Sequence, residues 1–230
     1  MADSCLLYYI TDRKAFAAGE STRRRNLLDK IAEAANSHVD YIQLREKDLA
    51  GRELESLAQE AMHIIQQANE RNAENQQPKT ALLINSRADI ALATKAHGVH
   101  LRSNDISPED VKKIYSCGRG RLARELSSQT PKISVSCHSP AEVIHAAATG
   151  ATLALFGPVF EKKDVPGTAP KGLAALHQAA CAKIPVLALG GITLENAASC
   201  LHAGAAGIAA IRLFQENDIA TIVRALRHRQ

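Results

Sequence analysis

The chain has 230 residues, 46% of them apolar, and its 28 Lys plus Arg against 24 Asp plus Glu leave a formal charge of +4. That is enough apolar material for one sizeable core, and 13 Gly with 8 Pro exclude collagen-like or Pro/Gly-driven disordered chains. Aromatic residues make up only 3%, Trp is absent, and the basic residues form short clusters (Arg23, Arg24 and Arg25; Arg119, Arg121 and Arg124), so no nucleic-acid partner is expected. No apolar run approaches the ~20 residues that cross a bilayer, which argues against a membrane partner. The opening MADSCLLYYITDR lacks the basic segment and long apolar run of a secretory leader. Cys5, Cys117, Cys137, Cys181 and Cys200 include no C-x-x-C pair. Unpaired, partly buried thiols in a reducing cytoplasm are expected, without a zinc site.

In chain order, short apolar runs alternate with helical patterns. A strand at 6–11 (LLYYIT) precedes a helix at 23–36. A strand at 40–44 precedes a helix at 50–70, where Leu54, Leu57, Ala58, Ala61, Met62 and Ile65 recur at three and four. Strands at 80–84 and 97–101 lead into helices at 87–94 and 107–115, the latter opened by Ser107-Pro108 with Asp110 three after the cap. The strand at 132–136 leads into a helix at 139–148, opened by Ser139-Pro140 with Glu142 in the same place. Strands at 152–156, 184–189 and 206–211 precede helices at 172–182, 193–202 and 214–228, with Thr193 and Asn196 at the start of the second of these. Runs that are apolar on both faces suit a parallel sheet covered on both sides. Eight units of about 29 residues each predict an α/β single-domain (β/α)8 TIM barrel. A doubly wound open sheet is the competing arrangement. A basic insertion near 117–131 and a long loop at 157–172 interrupt the pattern. Either architecture places ligands beyond the C-terminal ends of the strands.

Those ends are polar. The second strand runs through Gln43, Arg45, Glu46, Lys47 and Asp48, and an amide with two cations suits a phosphate or diphosphate. An ordinary charged loop is the plainer reading. The third strand ends in Asn85-Ser86-Arg87. After the fourth, Asp105 reads equally as a ligand for a hard cation such as Mg²⁺ or as a cap for the helix that follows. His97 and His100, three apart in a strand, face opposite ways and make a poor joint metal site. Ser134 and Ser136 share a face of the fifth strand. Cys137 and His138 are adjacent and point apart, so no thiol dyad is expected, and His138 either shuttles a proton or helps to cap the next helix. The loop at 157–172 offers Lys162, Lys163, Thr168 and Lys171, as a cover for the site or as a surface excursion. After the seventh strand Gly190 and Gly191 let the backbone approach a ligand, and the next helix turns free N–H groups towards them. With Arg212 after the eighth strand, they suit a phosphate site built by the last two units.

In order and spacing, YYITDR, QLREK, a strand ending in Asn85, GVHL followed by Asp105, VSCHS, GPVFE, ALGGI and AGAAGIA resemble the thiamine-phosphate synthase and thiazole tautomerase superfamily, over residues 6–214. The resemblance implies a barrel enzyme that joins hydroxymethylpyrimidine diphosphate to thiazole phosphate and releases diphosphate with the help of Mg²⁺. It implies Gln43, Arg45 and Lys47 as the grip on diphosphate and pyrimidine, with Asn85 and Ser136 beside them and Asp105 on the metal. Gly190, Gly191 and the turn after the eighth strand take the thiazole phosphate. On this reading Arg45, Lys47, Ser136 and His138 are the catalytic set, and Lys171 and Arg212 join the substrate-binding set. The partners are phosphorylated pyrimidine and thiazole small molecules, with a homodimer allowed for.

The chain departs from that pattern at four places. Synthases carry Asn-Asp where it has Asn85-Ser86, so one metal carboxylate is missing. The threonine-rich run of the sixth loop has no match in EKKDVPGTAP. Arg212 stands where serine is usual, adding a phosphate contact or filling the pocket, and the stretch near 117–131 is extra. The tautomerase branch is the alternative, with His138 as its proton shuttle. A divergent phosphate-binding barrel without synthase activity is a third reading.

Overall fold

The computed structural model describes residues 5–17, 19–116, 130–161 and 169–227. Eight parallel strands, β1 (Leu6–Ile10), β2 (Tyr41–Leu44), β3 (Ala81–Asn85), β4 (Gly98–Leu101), β5 (Lys132–Cys137), β6 (Leu153–Phe156), β7 (Val186–Leu189) and β8 (Gly207–Ala210), pair in sequence order. Pairing of β1 with β8, from Leu6 opposite Gly207 to Tyr9 opposite Ala210, closes the barrel and rules out the open sheet. The helices are α1 (Glu20–Asn36), α2 (Gly51–Glu74), α3 (Ala88–Ala93), α4 (Pro108–Ser116), α5 (Pro140–Ala148), α6 (Gly172–Ala180), α7 (Leu194–His202), α8 (Arg212–Gln215) and α9 (Ile219–Arg227). All eight expected strands are present. The expected insertion at 117–131 lies, but for its last two residues, outside the described residues, as do Lys162, Lys163 and Thr168 of the long loop.

The expected last helix, 214–228, is instead two helices. Asp218 breaks it: its Oδ1 accepts the Thr221 N–H at 2.8 Å, while the Ile219 N–H is taken by Glu33 Oε1 at 2.6 Å, so a new helix starts there. The serine caps form as expected, with Ser107 Oγ accepting the Asp110 N–H and Ser139 Oγ the Glu142 N–H.

Alternation along each strand produces two apolar shells. One lies between sheet and helices and includes Leu7, Tyr9, Ile42, Leu44, Ile84 and Phe156; the other fills the lumen with Tyr8, Ile10, Leu153, Leu155, Leu187 and Ala209. Each fully buried large side chain contributes about 1.5–3 kcal/mol by leaving water. At the N-terminal end Asp40 Oδ2 accepts from the Leu7 N–H (2.8 Å) and from Arg227 Nη2 (3.1 Å), tying α9 to the seam of the barrel. The opposite end is left for chemistry.

Candidate active site

The lumen is chemically lopsided. On β6–β8 it is lined by Leu153, Leu155, Leu187 and Ala209, whereas on β1–β5 it carries Tyr8, Gln43, Asn85, His100, Ser134 and Ser136. Buried polar groups need partners, and these supply one another's. Ser136 Oγ lies 2.9 Å from His100 Nε2, and His100 Nδ1 lies 2.7 Å from Ser134 Oγ. Ser134 Oγ lies 2.9 Å from Tyr8 Oη, which donates to Gln43 Oε1 at 3.2 Å. Gln43 Nε2 donates to Asn85 Oδ1 (2.8 Å), Asn85 Nδ2 to Ser86 Oγ (3.1 Å), and Ser86 Oγ to Asp105 Oδ2 (2.6 Å).

Counting protons fixes the direction of this chain. The one proton of Tyr8 goes to Gln43, so Ser134 donates to Tyr8, His100 donates from Nδ1 to Ser134, and Ser136 donates to Nε2. His100 is neutral in this arrangement. Burial pushes its pKa down to about 3; the nearby carboxylate of Asp105 opposes that, while Arg45 and Arg102 reinforce it. His97 faces the other way, its Nδ1 accepting the Leu82 N–H at 3.0 Å.

Arg45 follows Gln43 by two residues just past the end of β2, and Lys47 stands in the turn that comes next. Their backbone is braced from β1. Thr11 Oγ1 accepts the Arg45 N–H (3.0 Å) and donates to Glu46 Oε1 (2.6 Å); Glu46 Oε2 takes the Arg13 N–H (3.1 Å) and its guanidinium (3.2 Å). Arg13 also forks onto Asp48, Nη1 to Oδ1 at 2.8 Å and Nη2 to Oδ2 at 2.9 Å. That guanidinium holds the Asp48 carboxyl well below the usual range. Glu46 and Asp48 are thus engaged by Arg13, on the side of β1 and its following turn. Lys47 is exposed, and its pKa is lowered first by Arg45, then by burial and by Arg102.

At the rim of β3 and β4, Ser86 has φ of 58°, a left-handed conformation that non-glycine residues seldom adopt. Its N–H bonds to His100 O at 2.8 Å and its hydroxyl to Asp105. Asp105 does not cap α4; Ser107 does. Both its carboxylate oxygens are taken by donors: Oδ1 by Arg102 Nη2 (2.9 Å), Oδ2 by the Arg102 N–H (2.8 Å) and Ser86 Oγ (2.6 Å). Burial raises its pKa, but Arg102 and Ser86 together outweigh that and hold it low. A hard divalent cation wants several oxygen ligands. Here one carboxylate faces a guanidinium, and among the described residues no three His, Cys, Asp or Glu side chains gather to hold a metal. The residues present do not fit a resident Mg²⁺.

After β5, Cys137 is buried, with its thiol pushed up to about 12 by burial, while His138 is exposed with Nδ1 2.6 Å from Gly157 O. The carbonyl can only accept, so Nδ1 carries a proton and no thiol–imidazole dyad forms. Cys5, Cys137, Cys181 and Cys200 are all unpaired. Lys171 is exposed at the start of α6, with its N–H on Pro158 O at 2.7 Å. After β7, Gly190 and Gly191 have φ of 94° and 67°. A Cβ on Gly191 would lie 2.5 Å from Glu161 O and 2.7 Å from Phe160 Cβ, so only glycine lets the β6 and β7 loops meet. Asn196 Nδ2 donates to Gly191 O (2.9 Å) and its Oδ1 accepts the Thr193 N–H (2.9 Å), fixing this turn on the start of α7. Arg212 is exposed at the start of α8. Beside the mouth, a cavity of about 420 Å³ between the β4–α4 loop and α5 brings together Ser136 and Asp105 with Arg102, but none of the other expected residues. Tyr8, His100, Arg102 and the Thr11–Arg13–Glu46 brace are absent from the site expected from sequence. Polar residues on lumen parity were the available signal.

A closed barrel of eight parallel strands, with polar side chains gathered at their C-terminal ends, belongs to the class of (β/α)8 TIM barrels. The family model described as thiamine monophosphate synthase matches residues 7–214, and on that match the chain belongs to this family of synthase-type enzymes. It is 35% identical over 208 residues to a thiamine-phosphate synthase of Roseiflexus castenholzii (strain DSM 13941 / HLO8), covering 90% of this chain and 79% of that one. It is 34% identical over 216 residues to a thiamine-phosphate synthase of Clostridium novyi (strain NT), covering 92% and 91%. A solved structure, the thiamine phosphate pyrophosphorylase from Pyrococcus furiosus, superimposes with a TM-score of 0.75 at 26% identity, covering 98% of this chain and 95% of that one. Among the described residues no helix is long and apolar enough to cross a membrane.

Proposed function

We propose that the chain is a transferase joining hydroxymethylpyrimidine diphosphate to thiazole phosphate with release of diphosphate. What supports this reading is that two sets of groups suited to anions lie across the barrel from each other. Arg45 and Lys47 stand above the Gln43–Asn85 pair on β2 and β3, and the Gly190-Gly191 turn follows β7, which lies opposite β3 in the closed order. Two phosphorylated ligands held at these places meet ring to ring over the lumen. On this reading Arg45 and Lys47 neutralise the leaving diphosphate as the C–O bond breaks and its electron pair departs with oxygen. The thiazole nitrogen supplies the lone pair of the new C–N bond, so no side-chain base is needed. Gln43, Asn85 and Ser136 orient the pyrimidine, and Gly190, Gly191, Arg212 and Lys171 take the second phosphate. Mg²⁺, implied by the family resemblance, has no fitting resident site, and no step is assigned to it. The test is stoichiometry: purified protein with both substrates releases one diphosphate per thiamine phosphate, and no product means the reading is wrong.

The tautomerase alternative has one observation in its favour. The Gly157 carbonyl pins His138 with Nδ1 protonated, leaving Nε2 as a base at the end of β5.

A further inference from the structure

We propose that Arg102 is a direct ligand of the diphosphate and supplies the charge neutralisation that the resemblance assigns to a metal ion on Asp105. This rests on the diphosphate reading of the β2–β4 mouth and adds a residue that reading did not contain.

Arg102 follows His100 by two residues and so keeps its lumen-facing parity past the end of β4. It stands beside the Asn85-Ser86 turn, with Nε 3.1 Å from Ser86 Oγ and Nη2 2.9 Å from Asp105 Oδ1. Through Asn85 and Gln43 the same turn is joined to β2, which carries Arg45 and Lys47. Lys47 feels both guanidinium groups, Arg45 first, then burial and Arg102 lowering its pKa. Of the carboxylates nearby, Asp105 pairs with Arg102 and Asp12 acts on Lys47. Half of the Arg102 side chain is exposed against 11% of Asp105, so the guanidinium is open to solvent and the carboxylate backs it. Its Nη1 makes no hydrogen bond among the described residues and is available to an incoming oxygen. A guanidinium takes two phosphate oxygens at once and cannot lose its charge, which suits it to this role. Ser86 completes the exchange, because its hydroxyl donates to Asp105 where a carboxylate would repel it.

The experiment is equilibrium binding of inorganic diphosphate to the full chain, in EDTA and in excess Mg²⁺, for wild type, R102Q, R102A and D105N. Wild type binds in EDTA. R102Q and R102A, folded by circular dichroism, weaken that binding about tenfold or more. D105N, which lifts the partial neutralisation of Arg102, tightens it. Binding by wild type only when Mg²⁺ is present, or binding in EDTA unchanged in R102Q and R102A, overturns the proposal and leaves the synthase reading standing. No diphosphate binding under either condition overturns both.

Discussion

His100 Nε2 lies 2.9 Å from Ser136 Oγ, and the imidazole is held on its other side by Ser134. On the proposed reading His100 is a positioning residue that holds the Ser136 hydroxyl. H100Q should lower kcat at least about tenfold, as misplacement of an orienting group does, with the barrel intact by circular dichroism. Nitrogen NMR of the wild type should show a neutral imidazole protonated at Nδ1. Y8F frees the Ser134 proton for His100 and should move that proton to Nε2. An unchanged tautomer in Y8F contradicts the directed chain.

The same burial makes stability depend on pH. The folded His100 pKa, about 3, lies below the ordinary value of about 6.5. Below about pH 6.5 the unfolded chain takes up a proton that the folded one refuses, so stability is lost as pH falls from there towards 3. Urea midpoints should drop between pH 7 and pH 5, and H100Q should flatten that drop.

Arg13 is 3% exposed and bonds Glu46, Asp48 and Glu20 at once. R13M leaves the buried Glu46 without its cation, which costs about 3–5 kcal/mol in such pairs. Denaturant unfolding should show a loss of that order, and a loss below about 1 kcal/mol would remove the brace from the account.

Lys47 is exposed and outside the core. K47A should leave the unfolding free energy within about 0.5 kcal/mol, the usual range for surface changes, while turnover falls by about a hundredfold. Unchanged specific activity removes Lys47 from the mechanism.

G191A places a methyl group against Glu161 O and Phe160 Cβ at a φ of 67°. It should destabilise by about 1–3 kcal/mol and raise KM for the phosphate-bearing thiazole more than for the pyrimidine diphosphate.

Much of this architecture is legible in the residues. The eight apolar runs are strands because each is buried on both faces, and Ser107-Pro108 and Ser139-Pro140 act locally, so they read without a structure. The end of the chain does not, because the break at Asp218 depends on Glu33, far away in α1, taking the Ile219 N–H. At the site, Gln43, Asn85, Ser136 and Asp105 do belong to one hydrogen-bonded chain, but Asp105 joins it through Ser86, and Ser136 through His100, Ser134 and Tyr8, which come from three strands. The pairing of Asp105 with Arg102 was three residues apart in the sequence and still invisible, since whether an aspartate meets a metal, a helix N–H or a guanidinium depends on how the loop folds.

The most direct measurement is a paired assay on wild type and H138Q. One reaction contains hydroxymethylpyrimidine diphosphate, thiazole phosphate and Mg²⁺; the other contains the tautomerisable thiazole carboxylate phosphate alone. The synthase account predicts thiamine phosphate and diphosphate in the first reaction, largely retained in H138Q, because the bond-forming nitrogen needs no side-chain base. Isomerisation in the second reaction without metal, abolished in H138Q, together with no thiamine phosphate in the first, would contradict it.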